Sequence, residues 1–275
     1  MRTLARPATE RGARLTLAYS TPLRIAAAQS TSIAGDAMGN AHAHLAFIHR
    51  AASSGVQLLV FPELSLTGYE PALHARSVLE PGHPALVLLG QAAADAGMSV
   101  VVGAPALPCQ PGALPAIGAW LLSPDGSTTL YRKRHLHPGE DTFASAGDAD
   151  ASIHRIAGEP VALAVCADAT RPTHAMAAHS AGAHLYATGA LISARGIDEE
   201  SAQLQGYAAT HCFAVLLANH AGASGGYVSA GRSAVWQPGG ACVVAAEGAG
   251  DCVVMAQRDA AGCWTGEVIR WGDGA

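Results

Sequence analysis

Short apolar runs that end abruptly on a polar residue constrain the fold of this chain more than any other feature of its sequence. The clearest is residues 162–165 (Ala-Leu-Ala-Val), which stops at Cys166 and is followed by Asp168. A run of this length with such a boundary is typical of a buried strand in a parallel sheet. Cys166 would then lie at the carboxyl end of the strand, where open α/β sheets place their chemistry. Its thiol is either a nucleophile or a core side chain, since free cysteine is among the most buried residue types.

Similar apolar runs recur along the chain and alternate with segments of helical spacing. The predicted strands are residues 23–29, 56–61, 98–103, 116–122, 128–132, 153–156, 161–165, 184–188, 214–219, 233–236, 241–246 and 252–257, and the predicted helices are residues 37–54, 84–96, 172–181 and 198–211. This alternation predicts an α/β sheet with antiparallel parts rather than a TIM barrel. Because no repeat or domain boundary is visible, we expect a single domain over residues 21–275, preceded by a flexible tail at residues 1–20.

Composition excludes several functional classes. Half of the residues are hydrophobic, which is ample for a large core, and the net charge of -5 gives no basic surface for nucleic acid. No apolar run approaches the length of a membrane span. The six cysteines form no CxxC pair and no secretory signal precedes them, so we expect reduced thiols in a cytoplasmic protein.

Three chemically distinctive residues follow three of the predicted strands. Glu63 comes just after the strand at 56–61, and Lys133 directly follows the hairpin strand at 128–132. Cys166 ends the strand at 161–165. Lys133 is the single lysine among the sixteen basic side chains. Either chance left one lysine, or this position needs a compact ammonium that a planar guanidinium cannot replace.

If these strands are neighbours, the three side chains converge on one site. A thiol needs a base to become a nucleophilic thiolate, because its ordinary pKa is about 8.5. Glu63 in a dry pocket could accept that proton, and Lys133 could stabilise the oxyanion formed when sulfur attacks a carbonyl or nitrile carbon. Taken singly, a glutamate in a turn and a lysine between two arginines are ordinary surface features, so the combination carries the interpretation.

These residues sit in three segments that resemble the signatures of the nitrilase (carbon–nitrogen hydrolase) superfamily, in its amidase-like branch. The segments are residues 61–64 (Phe-Pro-Glu-Leu) with 67–69 (Thr-Gly-Tyr), residues 131–136 (Tyr-Arg-Lys-Arg-His-Leu) and residues 165–168 (Val-Cys-Ala-Asp). Their order and spacing also match, and the resemblance covers about residues 23–270. It implies a four-layer αββα sandwich with mixed sheets. It also implies a homodimer or higher homo-oligomer in which two such sandwiches pair.

The same resemblance implies roles for individual residues. Glu63 would be the base, Lys133 the oxyanion stabiliser and Cys166 the nucleophile that forms a thioester. Glu140 matches a second glutamate that orients the lysine or the substrate, and the backbone N–H of Ala167 is a natural second oxyanion donor. Supporting positions are Tyr69 in the first signature and Asn219, which with Gly222 resembles an N-x-x-G strand end that lines the pocket.

Departures from the family pattern bear on the substrate. True nitrilases usually carry Trp-Glu after the cysteine, whereas this chain has Ala167 and Asp168, which favours a small amide or carbamoyl substrate over a nitrile. Many amidase-type members have an arginine four residues after the cysteine; here it is Arg171, one residue later, so a carboxylate-binding role is doubtful. The expected reaction is hydrolysis of a non-peptide C–N bond without a cofactor, releasing a carboxylic acid and ammonia or an amine.

Alternative interpretations come from other patterns. The pairs His135/His137 and His42/His44 suggest a metal site, but neither has a third ligand at suitable spacing, so no metal is expected. Ser224 before two glycines faintly resembles a loop of the amidase-signature enzymes, which need a Ser-Ser-Lys arrangement that is absent here. Acyl transfer to an amine, nitrile hydrolysis on the same cysteine, and a catalytically silent binding protein of the same fold remain open, since fold alone does not give activity.

Overall fold

The computed structural model describes residues 22–148 and 152–271, and within these ranges the chain forms two mixed β-sheets flanked by helices. The strands are β1 (Leu23–Gln29), β2 (Leu58–Val60), β3 (Ser99–Ala106), β4 (Ala116–Leu122), β5 (Thr128–Arg132), β6 (Ile153–Ile156), β7 (Glu159–Val165), β8 (Leu185–Ala190), β9 (Ala214–Asn219), β10 (Ala223–Ser224), β11 (Tyr227–Val228), β12 (Ala234–Trp236), β13 (Cys242–Ala245), β14 (Cys252–Arg258) and β15 (Trp264–Arg270). The helices are α1 (Ala37–Ser53), α2 (Pro84–Asp95), α3 (Pro172–Ser180) and α4 (Ile197–His211), and short 3-10 turns occupy Pro71–Arg76, Glu140–Thr142 and Cys166–Asp168. The tail expected at residues 1–20 lies outside the described ranges.

Each sheet is parallel at its centre and antiparallel at its edges. The first sheet has the order β15-β14-β1-β2-β3-β4-β5, with parallel pairing among β1, β2 and β3. The second has the order β13-β12-β9-β8-β7-β6, with parallel pairing among β7, β8 and β9. The central strands are buried along their length, which explains why they are continuous apolar runs without polar alternation.

The two sheets pack face to face, and helices cover their outer faces. In β1, Leu23, Ile25 and Ala27 pack with the second sheet, while Ala26 and Ala28 on the opposite face pack with α1 and α2. Helices α3 and α4 lie against the second sheet. This is the expected four-layer αββα sandwich, so that prediction is confirmed.

Helix boundaries follow local sequence signals. Asp36 caps α1 by accepting a hydrogen bond from the Gly39 N–H at 2.9 Å. Helices α2 and α3 each begin with a proline at the first position, where the missing N–H costs nothing. Among the helices of the described ranges, none has the length and apolar character needed to span a bilayer.

One strand and one hairpin were not anticipated from the sequence. Strand β15 pairs antiparallel with β14 at the edge of the first sheet, beyond the last predicted strand. Strands β10 and β11 form a small hairpin between the predicted strands at 214–219 and 233–236, where no strand was predicted. Both elements are largely exposed, so neither has the apolar run that marks the central strands.

Candidate active site

The carboxyl ends of β2, β5 and β7 meet where the two sheets face each other. Because β5 is two antiparallel pairings away from β3, it runs in the same direction as β2 and β3. The residues that follow these three strands are Glu63, Lys133 and Cys166, and all three are buried, with exposures of 2%, 0% and 4%. The structure therefore brings together the three residues singled out from the sequence.

Lys133 lies between two carboxylates in this buried site. Its Nζ donates to Glu63 Oε1 and to Glu140 Oε1, each at 2.8 Å. Glu140 is itself held in place, since its Oε1 accepts from the Tyr69 hydroxyl at 2.9 Å and its Oε2 from the His137 N–H at 2.8 Å. A buried ammonium with hydrogen-bonded carboxylates on two sides has a fixed position, which suits a group that must stabilise a developing charge.

The electrostatics of the site favour a neutral thiol beside a charged lysine. Burial alone would lower the pKa of Lys133, but Glu63, Cys166 and Glu140 outweigh it and raise this pKa above its usual value. Burial raises the pKa of Glu63, and nearby Glu140 adds to the rise while Lys133 opposes it. Burial and then Glu63 raise the pKa of the Cys166 thiol. The thiol is therefore protonated at rest, and a nucleophilic sulfur requires a base at the moment of attack.

The turn that carries Glu63 fits between the sheets because two glycines leave room for it. A Cβ on Gly103 of β3 would lie 2.2 Å from Leu64 N, and one on Gly189 of β8 would lie 2.5 Å from Phe61 O. Leu64 adopts a left-handed conformation with φ of 52°. From behind, His220 Nε2 donates to the Glu63 carbonyl oxygen at 2.6 Å. This close packing fixes the backbone of the glutamate.

The turn that carries Cys166 is fixed by Asp168. Cys166 has a φ of 44°, a left-handed conformation that costs on the order of 1–3 kcal/mol in a non-glycine residue. Asp168 Oδ2 accepts from Val165 N–H at 3.1 Å, and its Oδ1 accepts from the N–H groups of Arg134 and His135 at 3.1 and 2.8 Å. One buried carboxylate thus ties the cysteine turn to the segment just after Lys133.

A chain of buried hydrogen bonds connects Asp168 to the protein interior. The Tyr131 hydroxyl donates to Asp168 Oδ2 at 2.7 Å, so its oxygen must accept from His174 Nε2 at 3.0 Å. His174 Nδ1 in turn lies 2.8 Å from the Tyr186 hydroxyl. Burial alone would raise the pKa of Asp168, but the hydrogen bond from His135, the nearby His174 and the bond from Tyr131 lower it.

A cavity of about 280 Å³ opens over the cysteine. Its lining comprises Glu63, Tyr69, His137, Pro138, Cys166, Leu191, Ile192, Ser193, Glu200 and Tyr227. Three of these, Glu63, Tyr69 and Cys166, were predicted to belong to the site. His137 was considered only as half of a metal-binding pair, yet its Nε2 lies 3.3 Å from Cys166 Sγ. Glu200 and Ser193 were not singled out, and Tyr227 lies in β11 of the small hairpin.

Other predicted residues lie outside the cavity wall. Asn219 was expected to line the pocket but lies buried behind it: its Oδ1 accepts from Ile192 N–H at 2.8 Å, and its Nδ2 donates to Ile192 O and Gly231 O at 3.0 and 2.7 Å. It therefore positions the loop after β8. Ala167 is buried in the turn directly after the nucleophile. Arg171 is exposed and does not line the cavity.

The two histidine pairs do not form metal sites. His135 Nδ1 lies 3.0 Å from Asp168 Oδ1, whereas His137 faces Cys166. His44 is buried and His42 exposed on the same helix. Over residues 22–148 and 152–271, no group of three or more His, Cys, Asp or Glu side chains is arranged to hold a metal ion.

Comparisons with known proteins agree with this geometry. The family model described as carbon-nitrogen hydrolase matches residues 24–264. A cysteine-to-alanine mutant of an amidase of the nitrilase superfamily from Nesterenkonia AN1 has a TM-score of 0.77 to this chain at 25% identity, covering 86% of this chain and 90% of the amidase. Comparison with curated protein sequences gave no match.

Two further structures of the amidase from Nesterenkonia sp. AN1 contain a small amide or a covalent adduct formed from one. A glutamate-to-glutamine mutant shows covalent addition of the acetamide moiety of fluoroacetamide at the active-site cysteine, with a TM-score of 0.78, 25% identity and coverage of 88% of this chain and 92% of that one. A cysteine-to-alanine mutant is in complex with butyramide, with a TM-score of 0.77, 26% identity and coverage of 86% and 90%.

Proposed function

We propose that this chain, which belongs to the carbon–nitrogen hydrolase family, hydrolyses the C–N bond of small linear amides through a thioester on Cys166. The observation that carries the proposal is that Lys133 is hydrogen-bonded to both Glu63 and Glu140, while Glu63 and Cys166 line the same cavity. A mutant of the similar amidase from Nesterenkonia sp. AN1 carries the acetamide moiety of fluoroacetamide covalently on its active-site cysteine, which supports a nucleophilic cysteine within reach of a small amide here.

In the first half of the reaction, the amide carbonyl carbon forms a bond to sulfur. Glu63 accepts the thiol proton as Cys166 Sγ attacks, and the negative charge develops on the carbonyl oxygen. Lys133 Nζ and the backbone N–H of Ala167 donate hydrogen bonds to this oxyanion. Each such donor is typically worth about 10²–10³ in rate. The C–N bond then breaks as Glu63 returns its proton to the departing nitrogen, which leaves as ammonia or an amine.

In the second half, water cleaves the thioester. Glu63 takes a proton from water, the resulting hydroxide adds to the thioester carbon, and the same donors stabilise the second oxyanion. The C–S bond breaks, Glu63 returns the proton that it took from water to the sulfur, and the carboxylic acid departs. Glu63 is suited to this alternation, because burial raises its pKa and so makes its carboxylate a stronger base.

Intact-protein mass spectrometry tests this function. Wild-type protein and Cys166→Ala would be mixed briefly with acetamide, butyramide, carbamoyl amino acids and the matching nitriles, and ammonia release would be followed in parallel. We expect acyl adducts and ammonia with the amides on wild type, and neither on the variant. Adducts from nitriles alone would redirect the proposal to nitrile hydrolysis, and consumption of added amine in place of water would indicate acyl transfer.

A folded wild-type protein that forms no adduct and releases no ammonia with any of these compounds would contradict the proposal and favour a catalytically silent binding protein. The homodimer and the cytoplasmic location remain predictions. They are independent of the adduct measurement, since sedimentation and cell fractionation address them directly.

A further inference from the structure

Glu200 places a second carboxylate in the cavity wall, apart from the Glu63–Lys133–Glu140 cluster. It lies in the first turn of α4, where Asp198, Glu199 and Glu200 follow one another. Of these three acids, only Glu200 lines the cavity. Burial, followed by the nearby charges of Glu63 and Glu199, raises its pKa to about 7, while Lys133 opposes the rise. A ligand with a positive charge beside this carboxyl group would stabilise its ionised form.

The rest of the cavity adds no fixed positive charge to balance this carboxylate. No arginine or lysine is among the described residues that line it. Lys133 is fully buried and already donates to two carboxylates, which leaves that cluster with one net negative charge when all three groups are ionised. A substrate with a carboxylate of its own would therefore meet repulsion, and one with an ammonium would meet attraction.

Two aromatic side chains reinforce the same preference. Tyr69 and Tyr227 both line the cavity, with their ring centroids 5.7 Å apart in an edge-to-face arrangement. The Ser224 hydroxyl accepts from Tyr69 N–H at 2.8 Å, so the small hairpin that carries Tyr227 is fastened to the Tyr69 segment. Aromatic faces attract ammonium groups, and the attraction grows when water is excluded.

We propose that the cavity selects linear amides whose acyl chain ends in an ammonium group, with Glu200 as the residue that pairs with it. This inference rests on the proposed amidase function and adds the chemical class of the substrate. The cavity volume of about 280 Å³ is at the low end of small-molecule sites, which suits a short chain with one charged end. Specificity comes from attraction by Glu200 and from repulsion of anionic chains.

The test compares matched amides that differ only at the far end of the chain. The series runs from propanamide to hexanamide, each beside its terminal-amino analogue and its terminal-carboxylate analogue, and is assayed at a pH above the pKa of Glu200. We expect kcat/KM to be about 10- to 100-fold higher for the best amino amide than for its neutral counterpart, and lowest for the carboxylates. Glu200→Gln should reduce the ratio between kcat/KM for an amino amide and kcat/KM for its neutral counterpart to about one.

Glu199→Gln provides the matched control, because it removes the same charge from an exposed neighbour that does not line the cavity. It should keep the amino preference. Glu200→Lys supplies an independent variant and should move the preference toward terminal-carboxylate amides. Hydrolysis of neutral amides with no amino preference, or a preference that survives Glu200→Gln, would overturn this inference alone. Absence of turnover with every amide would instead overturn the proposed function on which it rests.

Discussion

His137 Nε2 lies 3.3 Å from the Sγ of Cys166, so the nucleophile has a histidine in hydrogen-bond contact in addition to the nearby Glu63. The backbone N–H of the same histidine donates to Glu140 at 2.8 Å, which fixes its place in the cavity wall. Burial and Lys133 lower the pKa of His137, while Glu140 opposes them. A neutral imidazole can accept the thiol proton or donate to the thiolate, and either contact makes the sulfur more reactive.

Replacing this histidine should slow the reactions of the thiol. We expect His137→Phe to reduce both kcat/KM and the rate of Cys166 alkylation by iodoacetamide about tenfold, because the sulfur loses a polar partner. His137→Gln keeps a hydrogen-bonding group, so its kcat/KM and its alkylation rate should lie between those of wild type and those of His137→Phe. The alkylation rate does not depend on a substrate, so it separates loss of thiol reactivity from altered binding. Equal alkylation rates in all three proteins would show that the contact has no effect on the thiol.

Two buried histidines should make the fold sensitive to acid. Burial, with a smaller contribution from His220, lowers the pKa of His44 to about 3, and burial lowers that of His220 to about 4. Below the ordinary histidine pKa of about 6.5 the unfolded chain binds protons that the folded chain does not, so stability falls as the pH falls. As the pH falls from the unfolded-state pKa of each histidine to its folded-state pKa, that histidine should lower the free energy of unfolding by about 1.4 kcal/mol per pH unit.

Denaturant unfolding between pH 7 and pH 4 measures this dependence. We expect His44→Leu to make the free energy of unfolding depend less steeply on pH, since it removes one of the two buried histidines. His42→Leu changes an exposed histidine of the same helix and should leave the slope unchanged. Parallel slopes for wild type and His44→Leu would mean that His44 does not control the acid sensitivity.

Much of the architecture follows from local sequence. The hairpin of β4 and β5 has the boundaries predicted from residues 116–122 and 128–132, because the turn at 124–126 (Pro-Asp-Gly) separates two well-marked runs. The places of Glu63, Lys133 and Cys166 just after three strands follow from the sequence pattern, whereas their convergence was expected only if those strands are neighbours. The division of the strands between two sheets does not follow from the pattern. It depends on pairing between distant strands, and only the family resemblance indicated it.

Elements held by tertiary contacts were harder to predict. Strand β15 pairs with β14 alone, and its side chains are partly or fully exposed, so its sequence (Trp-Thr-Gly-Glu-Val-Ile-Arg) has no continuous apolar run. His137 and Glu200 belong to segments far apart in sequence, and neither has a local pattern that indicates a pocket. Asn219 was assigned to the pocket wall because a short strand-end motif cannot distinguish lining the cavity from supporting it.

Lys133 should not tolerate a change to arginine, although the charge is kept. Its Nζ fits between Glu63 and Glu140 at 2.8 Å from each, and the larger planar guanidinium cannot place a donor at the same point. We expect Lys133→Arg to lose at least about 10²-fold in kcat, the value of one oxyanion donor. Arg132→Lys, on the preceding residue, should retain activity. Near-normal kcat in Lys133→Arg would remove the lysine from the proposed mechanism.

Gly103 should be indispensable to the position of the Glu63 turn. A Cβ there would lie 2.2 Å from Leu64 N, which is backbone and cannot move aside without displacing Glu63. We expect Gly103→Ala to lower both the free energy of unfolding and kcat, the latter by far more than any change in KM. Gly90 in α2 has nothing within 4 Å of its Cβ position, so Gly90→Ala should leave activity unchanged and stabilise the protein by up to about 1 kcal/mol. Because both variants add one methyl group, a Gly103→Ala protein with wild-type kcat would show that the close approach of β3 does not fix the catalytic glutamate.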